Sequence, residues 1–120
     1  MVKCFADSKE KVQTIMDSNG GVAILECYSK SCEDCSKLDN YLDQMSNEKN
    51  IPVILIDCEK NKDLCNCYNF KGMPSFAVAK ERSDNIMECR ECHDTKEVLD
   101  IFNTAVECRK NLGKWKWFEY

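Results

Sequence analysis

Three apolar runs, Val22 to Leu25, Val53 to Ile56 and Phe76 to Ala79, stand out along the chain, each four residues long with no polar residue inside it. A run that does not alternate offers no face to solvent, so each predicts a strand buried on both sides of a sheet. Between them the spacing changes to that of helices. Val12, Ile15 and Met16 follow Asp7-x-x-Glu10, which reads as a cap, and stop at Asn19-Gly20-Gly21. Leu38, Tyr41, Leu42 and Met45 keep the i, i+3, i+4, i+7 rule and predict a helix from near Cys32 to between Asn47 and Asn50. A shorter helical stretch fits Asn61 to Tyr68. The last follows Asp94-x-x-Glu97, with Val98, Leu99, Phe102, Ala105 and Val106 inward.

Ile86 to Glu91 predicts a further strand, joined to the third apolar run by the polar turn Arg82-Ser83-Asp84-Asn85, and residues 2 to 6 supply one more at the start. Strands alternating with helices imply a parallel sheet covered on both faces, and the closing hairpin makes it mixed. The expected fold is therefore α/β, a mixed sheet of four to five strands with helices on both faces. The domain is expected to span residues 1–110, with 111–120 as a C-terminal tail.

Composition adds a puzzle to this pattern. One domain is expected of 120 residues, and 43% hydrophobic residues are enough for a real core. Ten cysteines would suit a secreted disulfide framework, yet the N-terminus lacks the apolar stretch of a signal peptide. Reduced thiols in a cytoplasmic protein are the expectation. No apolar run reaches membrane-spanning length, and a formal charge of −4 offers no footprint for nucleic acid. The tail Lys114-Trp115-Lys116-Trp117-Phe118 alternates cation with aromatic, and packing back onto the domain is expected of it.

Each close cysteine spacing can be tested against its element. Cys32 and Cys35 sit at a helix start, where residues three apart share a face, can form a disulfide, and gain thiolate stabilisation from the helix N-terminus. Cys65 and Cys67, two apart on a helix, point about 200° apart and read as separate thiols. Cys89-x-x-Cys92-His93 spells a haem-attachment motif and half a zinc site, but on a strand these thiols face opposite ways. Cys4, Cys27, Cys58, Cys65, Cys67 and Cys108 are expected to be buried as small hydrophobes, and His93 to lie on the surface without a partner.

Taken together, Ala23-Ile24-Leu25-Glu26-Cys27-Tyr28, then Ser31-Cys32-Glu33-Asp34-Cys35 at a helix start, then Val53 to Asp57, then Gly72-Met73-Pro74-Ser75-Phe76 before a strand resemble thioredoxin over residues 2–108. The resemblance implies a protein-disulfide reductase with a redox-active Cys32–Cys35 disulfide and no cofactor of its own. Cys32 as thiolate attacks a substrate disulfide, and Cys35 resolves the mixed disulfide. Pro74 matches the family's cis-proline, and Met73 before it matches a residue that pairs by main chain with substrate. Glu26 falls where the family carries a buried aspartate that assists proton transfer at Cys35. Ser31, Glu33, Asp34, Met73 and Pro74, with Cys92 in place of a family glycine, are expected to form the substrate-binding surface. Implied partners are disulfide-containing proteins and an NADPH-dependent thioredoxin reductase, with no nucleic acid and no membrane.

The departures are specific. Ser31 replaces the usual tryptophan, and Glu33-Asp34 the usual Gly-Pro. Two carboxylates beside Cys32 disfavour its thiolate against the pull of the helix dipole, Lys30 and Lys37, which predicts a reducing couple and slower attack at neutral pH. A tryptophan near Tyr28 and a lysine near Val53 are also missing, which alters the docking surface. Cys92 is a candidate third thiol for a mixed disulfide with Cys32. Two other classes fit the same residues: a catalytically weak thioredoxin-fold adaptor, and a metal or iron–sulfur module built on Cys32 and Cys35.

Overall fold

A computed structural model describes the backbone of residues 3–118 and the side chains of residues 4–112. The elements in chain order are β1 (Lys3–Phe5), α1 (Lys9–Ser18), β2 (Val22–Tyr28), α2 (Glu33–Lys49), β3 (Val53–Asp57), α3 (Lys62–Cys67), β4 (Ser75–Lys80), β5 (Ile86–Glu91) and α4 (Thr95–Phe118). The strands form one sheet in the order β1-β3-β2-β4-β5. β3 runs parallel to both β1 and β2, while β4 is antiparallel to β2 and β5. This is the mixed α/β arrangement that the apolar runs predict.

Strand alternation sorts the core into two layers. Val22 and Ile24 of β2 join Leu38 and Leu42 of α2 and Ile101 and Phe102 of α4 on one face. Ala23, Leu25 and Cys27 join Val12 and Met16 of α1 and Cys65 of α3 on the other. The three central strands are buried almost throughout, as unalternating runs require.

Helix ends differ from the expectation in two places. The cap of α1 is Ser8, whose hydroxyl accepts from Lys11 N at 3.1 Å, rather than Asp7, which is exposed. Ser8 sits three residues before that N–H, the spacing a side-chain cap needs. At the other end of the chain α4 continues past residue 110 to Phe118, so residues 111–118 of the expected tail extend the helix. The side chains of Lys114 to Phe118 lie outside the described residues. α4 itself begins as expected: Asp94 Oδ1 accepts from Glu97 N at 2.9 Å, and Glu97 Oε1 accepts from His93 N at 3.1 Å. Among the described residues no helix is long and apolar enough to cross a membrane.

Candidate active site

β2 ends at Tyr28, and a tight turn, closed by Cys32 N donating to Ser29 O at 3.2 Å, leads into α2. Cys32 is the N-cap, in an extended conformation, and its sulfur accepts from Cys35 N at 3.2 Å. A cysteine here occupies the position that serine or aspartate usually fills, so the free N–H groups of the first turn point at sulfur. Cys32 is partly exposed and Cys35 is buried. Their sulfurs lie at bonding distance, with Cα atoms 5.3 Å apart.

Gly72, Met73 and Pro74 lead into β4, and Met73 lies beside this turn. The Met73–Pro74 peptide is cis, and Pro74 is buried with its carbonyl accepting from Cys92 N at 3.2 Å. Ser75 Oγ donates to Gly72 O at 2.6 Å and fixes the loop to the strand start. The Glu91 carboxylate lies over Gly72, 2.7 Å from where a Cβ would stand. Met73 and the turn border an open surface depression of about 420 Å³ lined by Ser29, Ser31, Cys32, Glu33 and Asp34. Ser31, Cys32, Glu33, Asp34 and Met73 are thus brought together, and Pro74 follows Met73 in the chain as a buried residue.

The charges around this depression are paired in a way the sequence does not announce. Ser31 Oγ donates to Glu59 Oε1 at 2.7 Å, and that bond holds the Glu59 carboxyl below its ordinary value. His93 does not stand alone, as its sequence setting suggests; its ring bridges two carboxylates. Nδ1 lies 2.8 Å from Asp34 Oδ2 and Nε2 2.8 Å from Glu91 Oε1. The bond to Asp34, then that to Glu91, raises the His93 pKa. Asp34 also meets Lys37 at 3.9 Å. Asp34, one of the two carboxylates expected to oppose the Cys32 thiolate, is therefore shared with two cationic groups when His93 is protonated, which weakens its effect on the sulfur.

Glu26 is 1% exposed and lines a second cavity of about 360 Å³ together with Cys35, Ser36, Lys30 and Asp39. Alternation along β2 explains its direction, since Val22, Ile24 and Glu26 share the face that α2 covers.

Cys92 corrects an expectation. It is 0% exposed within the core layer that holds Val98 and Phe102, and burial pushes its thiol up to about 12. Its main chain supports Pro74, but its sulfur contacts core residues and is closed to substrate or a mixed disulfide. Cys89, three residues back on the opposite side of β5, is exposed.

The remaining cysteines depart from uniform burial. Cys27, Cys65 and Cys108 are buried, Cys4 and Cys58 half-buried, and Cys67 exposed. Cys27, Cys58 and Cys65 converge, each sulfur within 4.8 Å of the other two. Short spacings along the sequence do not reveal this group, because its members stand 31 and seven residues apart.

The family model described as Thioredoxin matches residues 3–104. No curated protein matches the sequence at a significant level. Solved structures similar to this chain include a mutant thioredoxin from Halobacterium salinarum, at TM-score 0.76 and 16% identity, covering 87% of this chain and 90% of that one. Reduced thioredoxin pre-protein from Schistosoma mansoni superposes at TM-score 0.74 with 12% identity, over 88% of this chain and 99% of the other. Thioredoxin from Plasmodium falciparum gives 0.72 and 15%, over 83% and 96%. The chain belongs to the thioredoxin family, a class of thiol–disulfide oxidoreductases, and carries that class's cysteine pair as Cys32 and Cys35.

Proposed function

We propose that the protein reduces disulfides in other proteins through Cys32 and Cys35. One observation carries the reading: a partly exposed sulfur caps a helix N-terminus, and a buried second sulfur stands at bonding distance behind it. Cys32, as thiolate, attacks one sulfur of a substrate disulfide. A Cys32–substrate disulfide forms, and the other substrate sulfur leaves as thiolate. Cys35 then gives up its proton and attacks Cys32 Sγ. The intramolecular disulfide forms and the second substrate sulfur leaves, so the substrate gains two electrons and the protein loses two.

Glu26 lines the cavity that Cys35 also lines, which supports a role as acceptor of the Cys35 proton. Ser31, Glu33, Asp34 and Met73 form the surface that meets substrate, held in place by Pro74. An NADPH-dependent thioredoxin reductase is the proposed source of the two returning electrons, in a cytoplasmic setting that keeps the other thiols reduced.

Insulin reduction with dithiothreitol as electron source tests the assignment. Wild type accelerates precipitation of the insulin B chain and Cys32→Ser does not; equal acceleration by both would refute it.

A further inference from the structure

Cys27 lies near the end of β2, Cys58 follows β3 directly, and Cys65 stands on α3. The register explains their meeting: Cys27 pairs with Ile56 across the β2–β3 ladder, Cys58 N donates to Tyr28 O at 3.0 Å, and α3 folds back over the same face. Cys58 Sγ is within bonding reach of both other sulfurs, while Cys27 and Cys65 are 3.9 Å apart. A sulfur makes one disulfide. Any disulfide in this group leaves the third cysteine an unused thiol, whereas one cation at the centre employs all three.

We propose that Cys27, Cys58 and Cys65 form a three-thiolate site for a thiophilic d10 cation, zinc(II) or copper(I). Thiolates sharing a cation at about 2.3 Å stand about 3.8 Å from one another, which the Cys27–Cys65 separation of 3.9 Å already meets. Cys58, at disulfide distance from both in this structure, has to move outward from them when a cation takes the place of an S–S bond. Soft sulfur ligands select zinc(II) and copper(I) over harder cations. The sulfurs open on a cavity of about 350 Å³ that also holds Lys62, Lys71, Glu59 and Met73, which gives a cation a way in. Binding releases three protons, and the lysines offset the anionic cluster that results. Zinc takes water as its fourth donor, and copper(I) is satisfied by three thiolates. The site shares no ligand with Cys32 or Cys35, so it stands or falls apart from the exchange reaction.

The full chain, reduced with a phosphine and stripped of metal, is titrated anaerobically with zinc(II) and separately with copper(I), with cobalt(II) as an optical probe for the zinc arm. One equivalent of a single cation is expected to stay bound through desalting. Bound cation should protect Cys27, Cys58 and Cys65 from iodoacetamide under conditions that still alkylate Cys32. Cys58→Ser and Cys65→Ala are each expected to weaken binding by at least about 100-fold, and a Cys32→Ser/Cys35→Ser double variant to bind as wild type. The preferred cation distinguishes the zinc and copper forms. Failure of both to bind, binding unchanged in Cys58→Ser, or binding lost in the double variant would each overturn the proposal. The alkylation footprint on wild type keeps the test valid should a variant fold poorly.

Discussion

Two gatherings of cysteine stand at the same end of the sheet, and they are built in opposite ways. Cys32 and Cys35 come from one short stretch at the start of α2, where a helix N-terminus faces a partly exposed sulfur. Cys27, Cys58 and Cys65 come from three elements that only the folded chain joins. Glu26 and Cys27 are neighbours in sequence, yet alternation along β2 sends Glu26 toward Cys35 and Cys27 toward α3. One strand end thus serves both centres. Spacing along a helix makes a pair suited to exchange with a partner from outside, while convergence of separate elements makes an enclosed trio suited to holding something small.

The sharpest way to break this division is to remove one sulfur from each side. Cys32→Ser should lower insulin reduction by at least about 100-fold, while Cys58→Ser leaves it within about twofold. A comparable loss in both variants would erase the distinction.

Cys92 offers the next largest effect, on stability. Cys92→Ser places a hydroxyl in an apolar layer and should cost about 1–3 kcal/mol in urea unfolding, with exchange activity retained. Selective loss of activity at unchanged stability would return Cys92 to the substrate surface.

Glu26→Gln sharpens the division within the exchange centre. It should slow the release of substrate from the Cys32 mixed disulfide by about tenfold or more, with a changed pH profile. The first attack by Cys32, followed in a Cys35→Ser background, should be unaffected.

The smallest effect concerns His93. Its pKa is raised in the folded protein by Asp34 first and Glu91 second, so the protonated form favours folding. That contribution is full below the unfolded value of about 6.5 and is lost as pH rises through the raised folded value. His93 is the chain's one histidine, so a single imidazole resonance reports it. Asp34→Asn should bring its titration down toward the ordinary value; an unmoved midpoint would separate His93 from the active-site turn.

Much of this is legible before the fold. Unalternating apolar runs identify β2, β3 and β4 because strands covered on both sides of the sheet admit no polar face, and the i, i+3, i+4 rows of α2 and α4 match the layer they cover. The helix-start position of Cys32 and Cys35 is local, so spacing is sufficient to find it. The rest depends on contacts between distant residues. Asp34 reaches His93 across 59 positions, and no periodicity marks that bond. Strand geometry predicts that Cys89 and Cys92 face apart, but not which faces the core. The three converging thiols are invisible for the same reason, since burial as a small hydrophobe and membership in a cluster leave the same trace in a sequence.

In the proposed reaction the helix N-terminus, and not mere exposure, makes one cysteine the nucleophile. Cys67 and Cys89 are exposed without that setting and serve as internal controls. Cys35→Ser protein should be mixed with a peptide disulfide at neutral pH and the adducts mapped by mass spectrometry. A mixed disulfide on Cys32 ahead of every other thiol is the expected result; adducts spread over Cys67 and Cys89 with Cys32 unmodified would overturn the assignment of Cys32 as nucleophile.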